Sequence, residues 1–199
     1  MNSEILSNLN IFEKEVLDMM SGVDKHILDV GYGWGITSQY FYDKGVKSLT
    51  IIERRIDIFE RALKWSEGKK NVEVILGDWI DVIPNINKKF DGIYMDTFFP
   101  EGEDFRLNKT IEEQKKTLDY FYVEPSQEEK DKYISFESYC KSIANDGCML
   151  SLYEYFAYRK NINILEAQTD WGVEGYPTTH TFGWTYFKDG EFIANKSLI

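Results

Sequence analysis

The groups in this chain best suited to chemistry are an alternating glycine run and a series of carboxylates set just after apolar segments. Gly31, Gly33 and Gly35 follow Asp29 in the stretch Ile27-Leu28-Asp29-Val30-Gly31-Tyr32-Gly33-Trp34-Gly35. Glycine lets backbone approach a ligand closely, and peptide N–H groups at the start of a following helix point at negative charge. Glu53 ends the β-branched run Ser48-Leu49-Thr50-Ile51-Ile52, Asp78 follows Asn71 to Gly77, and Asp96 follows Phe90 to Met95. An acid after the second strand of a doubly wound sheet accepts hydrogen bonds from the vicinal hydroxyls of a ribose, so Glu53 fits an adenosine cofactor. Asp96 falls at the carboxyl edge of its strand, where α/β sheets place their chemistry.

Periodicity supplies the elements that must position these groups. Ser3 to Met20 has helical spacing, with Ile5, Leu9, Phe12, Val16 and Leu17 on one face and Ser3 as N-cap. Ile27–Val30 reads as a buried strand, Ile36 to Lys44 as a helix stopped by Gly45, and Ser48–Ile52 as a second strand. Ile56 to Glu67 is a helix, Asn71 to Leu76 a strand, and Phe90 to Asp96 a fourth strand. A polar insertion at about 100–133, with the aromatics Tyr120-Phe121-Tyr122, is expected to cover the active-site edge or to form a homodimer contact. Tyr133 to Asn145 reads as a helix, Asn145-Asp146-Gly147 as a turn, and Cys148 to Leu152 as strand five. Glu154 to Gln168 reads as a helix. Thr178 to Phe187 alternates as a strand, and Lys188-Asp189-Gly190-Glu191 as a hairpin turn into Phe192-Ile193-Ala194. The sum is one α/β domain over 1–199: a doubly wound, mostly parallel seven-stranded sheet of Rossmann-like type, closed by antiparallel strand at its C-terminal end.

Two ligand classes use such a glycine loop. The dinucleotide fingerprint has its third glycine one place later than Gly35. Asp29-x-Gly31-x-Gly33-x-Gly35 instead resembles the class I S-adenosylmethionine-dependent methyltransferases. That resemblance implies S-adenosylmethionine as cofactor, with Asp29, Gly31, Tyr32, Gly33 and Gly35 around its amino-acid end and Glu53 on its ribose. It also puts Asp78 near the adenine amine and Trp79 against the purine face. The alternative for these two is that Asp78 caps the next helix and Trp79 is core. Arg54-Arg55, directly after Glu53, is the feature that favours a phosphorylated dinucleotide and hence an NADP-dependent oxidoreductase. Asp96-Thr97-Phe98-Phe99-Pro100 lacks the two prolines of the motif in DNA and glutamine methyltransferases, which excludes that subclass.

A closer resemblance lies in Gly77-Asp78-Trp79-Ile80-Asp81-Val82 followed by Phe90-Asp91-Gly92-Ile93-Tyr94-Met95-Asp96-Thr97-Phe98. This segment is similar to the guanidinoacetate N-methyltransferases and the related fungal arginine N-methyltransferases, and the likeness runs from about Phe12 to Pro100 and takes in strand five, about half the chain. It implies that Asp96 grips a guanidino group and takes its proton, while Glu13, preceded by Phe12, grips from the other side. The alternative for Glu13 is a solvated helix residue. The resemblance also implies that Thr97, Tyr153 and Glu154 occupy substrate-binding places. Glu154 is a poor neighbour for the carboxylate of guanidinoacetate and favours an amine or neutral group there. The chemistry is consistent: a guanidinium has a pKa above ~12, so a carboxylate holds its fork in bidentate geometry and accepts a proton only as the new bond forms.

Composition bounds the partners. At 199 residues, 43% hydrophobic and mean hydropathy −0.42, the chain can bury a sizeable core. A net charge of −11 argues against nucleic acid and anionic membrane, which bind through clustered Lys and Arg. The expected partner is a small molecule. No apolar run is long enough to span a bilayer and Met-Asn-Ser-Glu is no signal sequence, so a cytoplasmic location is expected. Cys140 and Cys148 make neither a disulfide framework nor a zinc pattern, and with only His26 and His180 no metal is expected. A lone His180 in a strand reads as structural rather than as a base. A catalytically silent binding module remains the reading from another class.

Overall fold

The computed structural model describes the backbone of residues 11–95, 136–153, 163–168 and 179–193, and the side chains of 14–95, 136–151 and 184–193. Helix α1 (Ile11–Met20) leads into β1 (His26–Val30), α2 (Ile36–Asp43), β2 (Ser48–Glu53), α3 (Ile56–Ser66) and β3 (Val72–Leu76). A short helix, α4 (Trp79–Val82), and a 3-10 turn (Ile83–Asn85) precede β4 (Phe90–Met95). Then follow helical residues 136–141 (α5), β5 (Ala144–Tyr153), β6 (Asn163–Gln168), β7 (Thr179–Lys188) and β8 (Glu191–Ile193). The strand order is β3-β2-β1-β4-β5-β7-β6, with β8 paired to β7. The first five strands are parallel, and β7 runs antiparallel to β5, β6 and β8. This is the doubly wound, mostly parallel sheet that the sequence predicts.

Parallel strands covered on both faces read as continuous apolar runs, and β1, β2 and β4 are buried almost throughout. Alternation then sorts their side chains into two layers. Leu28, Val30, Ile52, Ile93 and Met95 enter one core with Trp79, Phe136, Cys140 and Leu150. Ile27, Leu49, Ile51 and Tyr94 enter the other, with Val16, Leu17 and Met20 of α1 and Phe41 of α2. Helix α1 lies against α2, β6 and β7. Gly92 permits that approach to β4: a Cβ there would meet Ile27 Cδ1 at 2.8 Å and Met20 Cε at 3.2 Å.

The predicted hairpin is present. Asp189 and Gly190, at φ 53° and 86°, form the two-residue turn between Lys188 and Glu191, as a type I′ turn requires.

Two expectations are corrected. Asn145-Asp146-Gly147 does not precede strand five but lies inside β5, as an irregularity between the pairs Phe90↔Ala144 and Gly92↔Met149. The Asp91 carboxylate lies at this irregularity, accepting from Asn145 Nδ2 and from the His26 backbone N–H, each at 2.8 Å. The expected helix over Glu154 to Gln168 fails in its described part, because Asn163–Gln168 is the strand β6. Leu165, Glu166, Ala167 and Gln168 are good helix formers, but six registered pairs with β7 outweigh that weak local preference. The expected helix at Tyr133 to Asn145 is seen over 136–141, with β5 starting at Ala144. The helix start at Ser3 and the insertion at 100–133 lie outside the described residues.

Candidate cofactor-binding edge

Three loops meet at the carboxyl edge of β1, β2 and β3, and backbone hydrogen bonds tie them together. The Gly31 N–H donates to Ile52 O at 2.8 Å, and the Gly77 N–H donates to Glu53 O at 3.0 Å. Glu53 is the hub. Its Oε2 accepts from the Tyr32 N–H at 3.0 Å and its Oε1 from the Arg55 N–H at 2.8 Å. The side chain is thereby fixed in one place at 7% exposure. Each carboxylate oxygen has two lone pairs, so each keeps acceptor capacity beyond these bonds.

The loop between β1 and α2 is shaped from beneath. Asp29 is fully buried, and its Oδ2 accepts from Ser38 Oγ at 2.5 Å and Thr37 Oγ1 at 3.2 Å. The acid thus anchors the first turn of α2 to β1. Gly35 is the N-cap of α2 at φ 75°. A Cβ on it would lie 2.5 Å from Cζ and Oη of Tyr32, so the tyrosine folds back over the space that only glycine leaves. Tyr32 is 6% exposed and its ring stands 5.7 Å from that of Trp65. Burial pushes its phenol up to about 12, opposed by Arg61 and reinforced by Asp29. At Gly33, by contrast, a Cβ would meet nothing within 4 Å among the described residues, so the tip of the loop borders open space there.

On the third loop Asp78 caps α4, its Oδ1 accepting from the Ile80 N–H at 3.2 Å. Its other oxygen lies 3.9 Å from Arg54 Nη1. Arg55 pairs with Asp57 at 2.8 Å. Both arginines of the pair that favours a phosphorylated dinucleotide are therefore directed at carboxylates. Trp79 is 7% exposed and packs edge-on to Phe136 and Tyr139, with centroids at 4.9 and 5.7 Å. Its packing is that of a core residue.

Asp29, Gly31, Tyr32, Gly33, Gly35, Glu53, Arg54, Asp78 and Trp79 are thus gathered at one edge. Asp96 directly follows β4 in the chain; Asp96, Thr97, Glu154 and the side chains of Glu13 and Tyr153 lie outside the described residues. Sequence reasoning missed Arg61, whose Nη2 donates to the Gly33 carbonyl, and Trp65, whose Nε1 donates to Gln39 Oε1 at 2.8 Å. The signal was α3's helical spacing, which places both on the side facing the loop. Among the described residues no group of three or more His, Cys, Asp or Glu is arranged to hold a metal ion, and no helix is long and apolar enough to cross a membrane.

Comparison with known proteins adds to this geometry. Residues 12–118 match the family model for guanidinoacetate N-methyltransferase. Protein arginine N-methyltransferase 2 of Yarrowia lipolytica is 34% identical over 98 residues, which is 44% of this chain and 20% of that protein. The chain therefore matches about a fifth of that relative's length. Among solved structures, the N-methyltransferase NodS of Bradyrhizobium japonicum superposes with TM-score 0.54 at 11% identity, over 90% of this chain and 98% of that one. Spermidine synthase of Thermotoga maritima superposes with TM-score 0.53 at 13% identity, over 87% of this chain and 59% of that one. Enzymes of different name share the fold, so the fold does not by itself fix a reaction.

Proposed function

Because the chain belongs to the guanidinoacetate N-methyltransferase family, we propose that it is an S-adenosylmethionine-dependent methyltransferase acting on a nitrogen of a small guanidino or amino compound. The observation that carries this reading is the family match laid on a glycine loop whose Tyr32 N–H is bound to the Glu53 carboxylate. The residues present fit such a cofactor. Open space borders Gly33, and Glu53 is held in place with lone pairs to spare. The cofactor supplies an electrophilic methyl group on a cationic sulfur.

In this reading the backbone of Gly31, Tyr32, Gly33 and Gly35 takes the amino-acid end, with Asp29 holding the loop. Glu53 takes the ribose hydroxyls. Asp78 and Arg54 border the adenine, and Trp79 backs them from the core. Asp96 orients the acceptor nitrogen and receives its proton, and Glu13 holds the guanidino group from the N-terminal helix. Thr97, Tyr153 and Glu154 bind the remainder of the substrate, and Glu154 favours a cationic or neutral tail over a carboxylate. Protein positioning and exclusion of water are the main contributions to rate.

A second reading replaces the small molecule by an arginine side chain of a protein, and is favoured by the name of the fungal relatives. The guanidinium chemistry is common to both. Labelled S-adenosylmethionine incubated with guanidino compounds, simple amines and an arginine-rich protein separates them by which product carries label. S-adenosylhomocysteine titration runs in parallel. Label on a small guanidino acceptor supports the first reading, label on protein alone supports the second, and absence of cofactor binding overturns both.

A further inference from the structure

Helix α3 reaches the glycine loop with a residue that none of the roles above uses. Arg61 donates from Nη2 to the carbonyl of Gly33, and its guanidinium carbon stands 5.2 Å from the ring centroid of Trp34. Trp34 is 71% exposed, and the Arg61 guanidinium lies over its ring. Gly33 itself has a positive φ of 50° and no side chain to fix it. The tip of the loop is thus held through its Gly33 carbonyl by the guanidinium, while a Cβ at Gly33 would meet none of the described residues within 4 Å. A planar guanidinium can donate and stack at once, which an ammonium does less well.

We infer that Arg61 is a positioning residue for the cofactor. With Trp34 it clamps the Gly33 peptide from behind, so that the loop's N–H groups are already oriented when the amino-acid end of S-adenosylmethionine arrives. The inference rests on the cofactor assigned above. Arg61 acts through the loop backbone and need not touch the ligand. A loop ordered beforehand gives up less conformational freedom on binding, and the saving appears as affinity.

Isothermal titration with S-adenosylhomocysteine, alongside thermal unfolding, tests this on the full chain. Arg61→Ala should weaken binding about tenfold, the scale of one charge-assisted hydrogen bond. Trp34→Ala should weaken it by about threefold, and Arg61→Lys should restore part of the loss. In turnover assays of Arg61→Ala, the KM for S-adenosylmethionine should rise by a larger factor than kcat falls. Without any ligand, acrylamide should quench Trp34 more readily in Arg61→Ala, read as the difference from the same proteins carrying Trp34→Phe. Wild-type affinity in Arg61→Ala, or a fall in melting temperature with affinity intact, would overturn the clamp. Should Arg61→Ala not fold, Trp34→Ala and Arg61→Lys decide in the same way. If the wild-type chain itself ignores S-adenosylhomocysteine while the quenching difference stands, the cofactor assignment fails and the ligand-free contact does not.

Discussion

At the scale of single residues, Glu53 and Gly35 are the positions where substitution is expected to cost most. Glu53 joins two loops through its carboxylate, the same group that the proposed function gives to the ribose of the cofactor. Gly35 combines a positive φ with a tyrosine ring lying where a Cβ would be. Gly35→Ala should destabilise the fold by about 1–3 kcal/mol, as strained positions do, and weaken S-adenosylhomocysteine binding more than tenfold. Thermal unfolding and titration measure the two effects. Asp96→Asn makes the complementary test. An amide keeps the shape but cannot take a proton, so turnover should fall by about 10²–10⁴ while affinity for S-adenosylhomocysteine stays within about twofold. Equal loss of both would move Asp96 from the acceptor side of the site to the cofactor side.

At the scale of elements, the helices do more than cover the sheet. Helix α3 braces the glycine loop, and α1 is fastened to α2 by a polar triad. Asp18 Oδ1 accepts from Tyr40 Oη at 2.7 Å and lies 2.5 Å from Lys44 Nζ. The hydrogen bond from Lys44 is the main cause holding the Asp18 carboxyl below its ordinary value of 3.8, against the opposing effect of burial. A depressed carboxyl stabilises the fold above its ordinary pKa and loses that effect as pH falls through the folded value. The wild type should therefore exceed Asp18→Asn in stability at neutral pH and the gap should close as pH drops below about 4. Because Asp18 and Lys44 are both more than 40% exposed, at 44% and 43%, the gap should be no more than about 1 kcal/mol. Urea unfolding at several pH values checks it. The same scale holds the largest departure from sequence expectation. The segment Asn163–Gln168 has helical propensity and becomes a sheet strand because β7 offers it a complete ladder.

At the scale of the molecule, burial predicts resistance to thiol reagents and a loss of stability in alkali. Cys140 and Cys148 are wholly buried, and burial pushes the Cys148 thiol up to about 12. Both should be unreactive toward an aromatic disulfide reagent in the native protein and react on unfolding, which absorbance of the released thiol would follow. The Tyr32 phenol is raised from 10.0 to about 12. A raised pKa means that the folded state keeps a proton the unfolded chain releases, so the contribution is intact below pH 10 and is lost as pH rises toward 12. Tyr32→Phe should make the alkaline decline in melting temperature shallower than in the wild type. The sequence alone determined the parallel sheet, the glycine loop, the acids at the strand ends and the Asp189-Gly190 hairpin. These follow from patterns of neighbouring residues: apolar runs, positive-φ glycine and turn chemistry act over a few positions. Tertiary structure decided that Asn163–Gln168 is a strand, that Asn145-Asp146-Gly147 sits within β5, that Arg54 and Arg55 are directed at carboxylates, and that Trp79 packs against Phe136 and Tyr139. It also decided that Arg61 reaches Gly33, 28 positions away. Such contacts join residues far apart in the chain, and their energy appears only when folding has set their partners side by side.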